Sequence, residues 1–193
     1  CIRDSWYMDS CRKIKYMFPK AHAVAYLIAA IRLMWFKVYH PQAFYATYFT
    51  VRGDDIDYEA AVGGVKVAQQ HLREVEQRLK EEKKAKDEDI QVSLQLVNEM
   101  LARGYEFLPI ELGKSRAVRY MVEDGKVRLP FASLKGVGEA AAQALEAATI
   151  NGQEYLSVEE LQQACGVSSA VMENLKNVGA LGDLPDTSQV SFF

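Results

Sequence analysis

The feature that most constrains the fold is an apolar run early in the chain. All sixteen positions from Ala23 to Val38 are apolar except Arg32 and Lys37. A membrane span needs about 20 mostly apolar residues, and each charge near a helix centre costs roughly 2.5 to 3.5 kcal/mol on insertion. The run is too short and too charged for that, and the sequence contains no second candidate. We therefore interpret it as a core helix and expect no membrane partner.

Composition agrees with this interpretation. The chain has 193 residues, of which 49% are hydrophobic and 25% charged, as in ordinary soluble proteins. A net charge of −3 excludes no class of partner. Three cysteines without a CxxC pair indicate neither a disulfide framework nor a zinc site, so we expect a reducing, cytoplasmic location. No signal peptide is visible, and a start at Cys1 suggests a piece of a longer protein.

The patterning predicts a mainly α fold. Pro19 suits a helix start, and Pro41 ends the helix that follows. Residues 44–51, "FYATYFTV", fit a helix or a strand equally well, and an N-cap is expected at or near Asp57. Two amphipathic helices follow, over 65–86 and from residue 89 to a cap at Gly104, with a charged, solvated segment between them.

The second half of the chain begins with a change of period. Alternation on both sides of Asp124-Gly125 is the strongest short-range signal for a β-hairpin with a two-residue turn. From Ser133 onward the sequence is again helical and rich in alanine, with breaks at Asn151-Gly152 and at Gly166. The expected fold is thus helical with one small β-hairpin.

The stretch "SLKGVGEAAAQAL" (133–145) contains the most legible motif of the chain. Lys135, Gly136, Val137 and Gly138 form a tight turn from which a helix begins at once. Such a turn directs unpaired backbone N–H groups and the positive end of the helix toward one spot, which suits a phosphate, and glycines let the backbone approach it. The stretch resembles the helix-hairpin-helix motif, in which Leu134 and Leu145 pack the two helices. The alternative is a plain turn between two helices.

A weaker copy of this pattern follows. "SVEELQQACGVSSAVMENLKNVGAL" (157–181) repeats the order of helix, glycine turn and helix, with Gly166 and Ser168 flanking Val167. Paired hairpins of this kind form one compact domain that straddles a DNA duplex. However, residues 130–182 contain two Lys/Arg and six Asp/Glu. We therefore expect local backbone contacts with DNA and not a strong general attraction.

The chain ends in "QVSFF", the residues Gln189, Val190, Ser191, Phe192 and Phe193. Two aromatic side chains on an extended tail can anchor a peptide in a groove, with Gln189 as a hydrogen-bonding partner. The pattern is similar to the pentapeptide by which bacterial proteins bind the replication sliding clamp. Taken alone, it also fits a frayed terminus.

Four stretches, in the same order as in the family, closely resemble the PolC-type DNA polymerase III alpha subunit, the replicative polymerase of low-GC Gram-positive bacteria. They are "WYMDSCRKIKYMFPKAHAVAYLIAAIRLMWFKVYHP", "YFTVRGDDIDYEA", "LPFASLKGVGEAAA" and the "LP…QVSFF" ending. The resemblance covers almost the whole chain as the C-terminal end of that enzyme. It implies a fingers part (1–65), a helical connection (66–104), a β-hairpin with tandem helix-hairpin-helix domain (105–182) and a clamp-binding tail (183–193).

In this family the "FPKAHA" helix faces the incoming nucleotide. The resemblance therefore implies nucleotide contacts by Lys20, His22 and Tyr26, with the remainder of the helix, from Leu27 to Phe36, in the core. A helical spacing of four places His22 and Tyr26 on one face. The alternative is that both are ordinary core residues. A basic cluster comprises Arg12, Lys13, Lys15 and Lys20. Beside a polymerase active site it is expected to meet template or triphosphate charge, and the alternative is a solvated helix face.

The family's catalytic aspartates lie in its palm domain, before the part that this chain resembles. The acids Asp54, Asp55 and Asp57 match no palm motif, so we expect no catalytic residue, no metal ligand and no cofactor in this chain. Magnesium is expected for the parent DNA-directed DNA polymerase. The implied partners are primer-template DNA, deoxynucleoside triphosphates and the sliding clamp. The alternatives are a non-catalytic helix-hairpin-helix module of a repair or recombination protein, and an interaction fragment active only through its tail.

Overall fold

The computed structural model describes residues 2–13, 19–53, 56–82 and 84–187. Three sets of predicted features lie outside these ranges: Lys15, the acids Asp54 and Asp55, and the whole tail from Gln189 to Phe193. The chain divides into two compact units, residues 1–40 and residues 41–193. Each unit is described by itself.

The described residues form a mainly helical fold with one small sheet, which confirms the predicted fold class. The helices are α1 (Ile2–Lys13), α2 (Lys20–Tyr39), α3 (Pro41–Arg52), α4 (Tyr58–Val62), α5 (Val65–Glu81), α6 (Ala85–Ala102), α7 (Glu139–Thr149), α8 (Val158–Cys165) and α9 (Ser169–Asn177). The strands are β1 (Phe107–Leu108), β2 (Met121–Glu123) and β3 (Lys126–Arg128), and a short 3-10 helix spans Phe131–Ser133.

The described part of the first unit consists of α1 and α2, and the long helix α2 has no buried residue. The prediction that Leu27 to Phe36 are core is wrong for this chain: Leu27 is 63% exposed, Ile31 67% and Phe36 50%. The sequence determines where the helix begins and ends. Burial of its apolar side chains also needs a surface against which they can pack, and the described residues do not supply one. By length and composition α2 could cross a membrane. A core helix of a soluble protein passes the same test, so this is weak evidence for a span.

The core of the second unit is one cluster of buried residues to which α3 to α6, the sheet and the last three helices all contribute. Residues 44–51, which the sequence left undecided, belong to α3, and this helix buries Tyr45 and Phe49 four positions apart. Asp57 is the N-cap of α4 as predicted, since its carboxylate accepts a hydrogen bond from the Ala60 amide at 3.0 Å. The fully buried centre of α6 comprises Leu94, Val97 and Met100.

The two long helices differ from the predicted bounds only in the charged run. Helix α5 ends at Glu81, before the predicted end at residue 86, and α6 begins at Ala85, before the predicted start at residue 89. Acidic side chains in the first turn of α6 favour this start, because they complement the helix dipole. The predicted cap at Gly104 is confirmed by its φ of +83° and by the bond from the Tyr105 amide to the Met100 carbonyl, 3.2 Å long.

The sheet has the order β1-β3-β2. The predicted hairpin joins β2 and β3, and its turn is of the primed type because Asp124 and Gly125 have φ of 50° and 78°. Strand β1 was not predicted. It pairs parallel to β3 over only two residues, which is too short to give an alternating pattern.

Candidate nucleic-acid interface

The first glycine turn is a type II β-turn over residues 134–137. The Val137 amide donates to the Leu134 carbonyl at 3.0 Å, and Gly136 has a φ of +88°. Among the described residues other than glycine, only Asp124 has a positive φ, so Lys135 does not. A positive φ at the third turn position alone defines type II and favours glycine there. The side chain of Val137 is buried and anchors the turn to the core.

The turn leads directly into α7, whose N-terminus is open. Gly138 is the N-cap, with φ −73° and ψ 163°, and no side chain caps the helix. The first backbone bond of the helix runs from the Ala142 amide to the Gly138 carbonyl, 2.9 Å long. The N–H groups before Ala142 have no acceptor within a helix that begins here, so they can bind an anion.

The second glycine turn repeats this backbone geometry. Gly166 has a φ of +66°, Val167 is buried, and Ser168 is the N-cap of α9 with φ −71° and ψ 156°. Gly166, Val167 and Ser168 thus correspond to Gly136, Val137 and Gly138 of the first turn. The predicted repeat is therefore present in the backbone.

The two turns differ in what occupies the helix N-terminus. In the second turn, the Ser168 hydroxyl accepts a hydrogen bond from the Val171 amide, and Gln162 donates to the Val167 carbonyl at 3.3 Å. The first turn has a glycine where the second has Ser168 and therefore cannot cap itself. Of the two turns, only the first leads into a helix N-terminus without a side-chain cap.

The first hairpin also departs from the predicted helix-turn-helix outline. The segment before its turn is a 3-10 helix of three residues, Phe131–Ser133, and Leu134 follows it in an extended conformation. A proline at the N-cap of this segment and the glycine turn just after it leave no room for a longer helix. Leu134 and Leu145 are both buried, so the predicted packing pair remains in place.

Asn174, which the sequence did not single out, lies against the first turn. Its side chain, from the middle of α9, donates a hydrogen bond from Nδ2 to the Lys135 carbonyl at 3.2 Å. A Cβ on Gly136 would lie 2.7 Å from the same Nδ2, whereas a Cβ on Gly138 would meet nothing within 4 Å. No local pattern could reveal this contact, because the two residues are 39 positions apart.

Few of the cations between residues 105 and 187 are available to a ligand. Lys114, Arg116, Lys126, Arg128 and Lys176 each form a salt bridge with a carboxylate of the same unit. Arg119 and Lys135 are exposed and form no salt bridge among the described residues, and of these two Lys135 belongs to the first turn. A positive charge at the first turn thus comes from one lysine and from the helix dipole.

Glu146 attaches α7 to the segment before β2. Its carboxylate accepts hydrogen bonds from Arg116 Nη1 at 3.0 Å and from the Ala117 amide at 2.5 Å. Since Arg116 and Ala117 also accept backbone bonds from Phe131 and Ala132, this carboxylate fixes α7 relative to the 3-10 segment. The turn between them is thereby held from both sides.

The predicted nucleotide-contacting residues all lie at the start of α2 in the first unit. Lys20 is the first residue of the helix, and the rings of His22 and Tyr26 are 5.3 Å apart in an edge-to-face arrangement. The prediction that His22 and Tyr26 share one face of the helix is thereby confirmed. All three side chains are exposed, with Tyr26 at 69%, so the alternative of buried core residues does not hold within this chain.

Comparison with known proteins identifies a helix-hairpin-helix motif over residues 104–189, the part of the chain that contains both turns. Across 188 residues, or 97% of the chain, it is 43% identical to "DNA polymerase III PolC-type" of Listeria innocua. The corresponding proteins of Caldanaerobacter subterraneus subsp. tengcongensis and Bacillus cereus are 42% identical over the same share. The chain spans 13% of the length of each of these relatives.

Proposed function

We propose that this chain serves a replicative DNA-directed DNA polymerase by holding its substrates. The chain belongs, as one segment, to the PolC-type DNA polymerase III family. The observation that carries the proposal is the uncapped N-terminus of α7 behind a type II glycine turn, within a helix-hairpin-helix region. The segment binds the duplex backbone, contacts the incoming nucleotide and tethers the enzyme to the sliding clamp.

The first turn is the principal duplex contact in this proposal. A phosphate oxygen would accept hydrogen bonds from the first N–H groups of α7, with Lys135 beside it as the positive charge. Gly138 leaves the approach open, since a Cβ there meets no protein atom within 4 Å. The second turn, with Gly166 and Ser168, makes a weaker contact because Ser168 already caps its own helix.

Duplex binding by this segment is expected to be weak and sensitive to salt. Five of the seven Lys and Arg side chains between residues 105 and 187 are already paired with carboxylates. Each phosphate neutralised by a cation contributes a slope of about −0.9 to log K against log salt on duplex DNA. With Lys135 and Arg119 as the free cations we expect a slope of only about −1 to −2, so the rest of the polymerase must hold the DNA in place.

The nucleotide contacts are proposed for the exposed start of α2. A lysine at a helix N-terminus adds its charge to the positive end of the dipole, which suits a triphosphate. The Tyr26 ring offers a surface on which a base can stack, a contact worth about 1–3 kcal/mol. His22 lies against that ring and supports its orientation.

In the full-length polymerase, Lys20→Ala or Tyr26→Ala is expected to raise KM for nucleotides about 10-fold, as the loss of about 1.4 kcal/mol of binding predicts. The affinity for primer-template should stay unchanged, because neither side chain contacts the duplex in this proposal. Arg32→Ala, an exposed cation on the same helix, is the matched control. Steady-state kinetics decide the matter, and unchanged KM and kcat in both variants would contradict the nucleotide role.

The clamp contact is proposed for the tail. Its residues Gln189–Phe193 lie outside the described part of the chain, so the proposal rests on the sequence alone. Two aromatic rings inserted into a pocket supply roughly 3 to 5 kcal/mol at about 25 cal/mol per Å², less the cost of ordering the tail. The rings alone therefore give millimolar binding, and the remaining contacts of the tail should raise the affinity to micromolar at best, near −8 kcal/mol, which suits a tether that must release.

Substituting Phe192 and Phe193 together by alanine is expected to abolish clamp binding and to leave duplex affinity intact, because the rings are the anchors. Isothermal titration of the clamp with the wild-type and substituted chains measures this, and Ser188→Ala, just before the five proposed clamp-binding residues, serves as the control. Equal affinities of the wild-type and doubly substituted chains would mean that the tail is only a free end.

The chemistry of nucleotide addition is assigned elsewhere in the polymerase. Magnesium ions would act there by activating the primer hydroxyl and stabilising the leaving pyrophosphate. Within residues 2–13, 19–53, 56–82 and 84–187, no group of three or more His, Cys, Asp or Glu side chains is placed to hold a metal. The segment would work in the cytoplasm, where replication takes place in bacteria.

The alternative of a repair or recombination module predicts similarity confined to the hairpins. The observed similarity to PolC-type polymerases extends over 97% of the chain, which favours the polymerase role. A repair module would also have no use for a nucleotide-facing helix at α2.

A further inference from the structure

We propose that Asn174 is a positioning residue that keeps the first glycine turn in its phosphate-binding form, so that the second hairpin controls the first. The inference rests on the proposed duplex contact and adds the element that holds that contact in shape. It is carried by the hydrogen bond from Asn174 Nδ2 to the Lys135 carbonyl and by the type II geometry of the turn.

The Lys135 carbonyl belongs to the central peptide of the turn. Type I and type II turns share the bond between their first and fourth residues and differ by a rotation of that central peptide through about 180°. In type II, Gly136 has the positive φ of +88° that is observed. A flip to type I would turn the Lys135 carbonyl away from Asn174 and break the 3.2 Å hydrogen bond. The amide of Asn174 therefore favours type II over type I.

The turn type matters because the phosphate is bound by backbone N–H groups. A flip of the central peptide redirects the Gly136 N–H and carbonyl, which changes the groups that face a ligand next to α7. Nothing else in the turn enforces type II: Gly136 tolerates either sign of φ, and the Val137–Leu134 bond is compatible with both types. Asn174 thus supplies the preference that the glycine lacks.

The contact also explains why the first turn needs glycine at 136. A Cβ there would lie 2.7 Å from Asn174 Nδ2, so any larger residue would displace the amide as well as strain a φ of +88°. A substitution at Gly136 therefore disturbs the turn from within the protein. Glycine at 136 therefore suits the positive φ and leaves the Asn174 amide in its place against the turn.

The test is duplex binding by the complete 193-residue chain at low salt, followed by fluorescence anisotropy of a labelled duplex. Asn174→Ala is expected to weaken binding about 3- to 10-fold, as the loss of one hydrogen bond predicts. Asn177→Ala, an exposed asparagine at the end of the same helix, is the matched control and should bind like wild type. Equal affinities for wild type and Asn174→Ala would overturn the inference.

A readout of turn type separates positioning from a general loss of structure. In a type II turn the Lys135 α-proton lies close to the Gly136 amide proton, and in type I it does not. We expect a strong nuclear Overhauser peak between them in wild type and a weaker one in Asn174→Ala, with other resonances retained. An unchanged peak would contradict the inference even if the affinity falls.

A double-substitution cycle distinguishes failure of this inference from failure of the proposed function. If Asn174 acts through the turn, Asn174→Ala should have little further effect on binding in a Gly138→Val background, where the phosphate contact is already lost. Additive effects would overturn the positioning role. If Gly138→Val itself leaves binding unchanged, the duplex contact of the first turn fails, and the inference fails with it. If Gly138→Val weakens binding but Asn174→Ala does not, the duplex contact of the first turn is supported and the positioning role of Asn174 is wrong.

Discussion

A Gly138→Val chain is expected to bind duplex DNA about 10- to 100-fold more weakly than wild type, the loss predicted for one or two hydrogen bonds to a charged phosphate. The added side chain meets no protein atom within 4 Å and sits at a φ of −73°, which any residue adopts. The new atoms therefore occupy only the space in front of the α7 N-terminus. Valine is a poor N-cap, so we expect the free energy of unfolding to fall by at most about 1 kcal/mol.

A Gly138→Ser chain makes this experiment sharper. It places a serine in the first turn at the position that Ser168 occupies in the second turn. The hydroxyl should cap α7, as Ser168 caps α9, and the free energy of unfolding should stay equal or rise. Duplex affinity should nevertheless fall, since the hydroxyl occupies an N–H group that the phosphate needs. Stability and binding that fall together would indicate damage to the fold and would contradict the proposed contact.

Glu123→Ala is expected to lower the free energy of unfolding by about 3 kcal/mol, because it leaves the buried guanidinium of Arg128 without its main partner. The Arg128 side chain is 4% exposed, and its Nε and Nη2 donate to the Glu123 carboxylate at 2.5 and 2.9 Å. Glu111 and the Pro109 carbonyl are its remaining acceptors. Chemical denaturation measures the difference.

The matched control for this substitution is Glu106→Ala on the neighbouring strand segment. Glu106 pairs with Lys126 at 2.6 Å, but both side chains are largely exposed, so its loss should cost less than about 1 kcal/mol. Equal losses for Glu106→Ala and Glu123→Ala would mean that burial of Arg128 does not strengthen its ion pair.

The ion pair between Glu123 and Arg128 also makes the free energy of unfolding depend on pH, and the direction of this dependence can be predicted. The hydrogen bond from Arg128, followed by its charge, holds the pKa of Glu123 below its ordinary value of 4.5. A carboxyl whose pKa is lower in the folded state stabilises the fold above its unfolded pKa, and this contribution is lost as the pH falls through the folded pKa. The difference between wild type and Glu123→Ala should therefore be constant near neutral pH and shrink below about pH 4.5.

Sequence predicted best what is decided by a few neighbouring residues. The Asp124-Gly125 hairpin, the Asp57 cap and the Gly104 helix end depend on local backbone preferences, and all three are present. The paired glycine turns belong to the same class. In each turn, a glycine followed by a buried valine favours the same backbone conformation, whatever the segment packs against.

Sequence failed where a partner surface decides. The apolar pattern of α2 predicted burial, yet no described residue buries Leu27 or Phe36, because hydrophobicity shows that a partner is needed and not where that partner is. Strand β1 exists only through its parallel pairing with β3. The contact of Asn174 with the first turn likewise depends on how α9 packs and leaves no local pattern.

The most direct test of the central claim is a titration of the isotopically labelled chain with duplex DNA at low salt, followed by amide NMR. The claim is that the first glycine turn and the N-terminus of α7 bind a backbone phosphate. It predicts that the amides of Gly138, Glu139 and Ala140 shift most, that those of Ser168 and Ser169 shift less, and that the shifts are lost in Gly138→Val. Shifts of comparable size at both turns, or shifts that avoid the first turn, would contradict it.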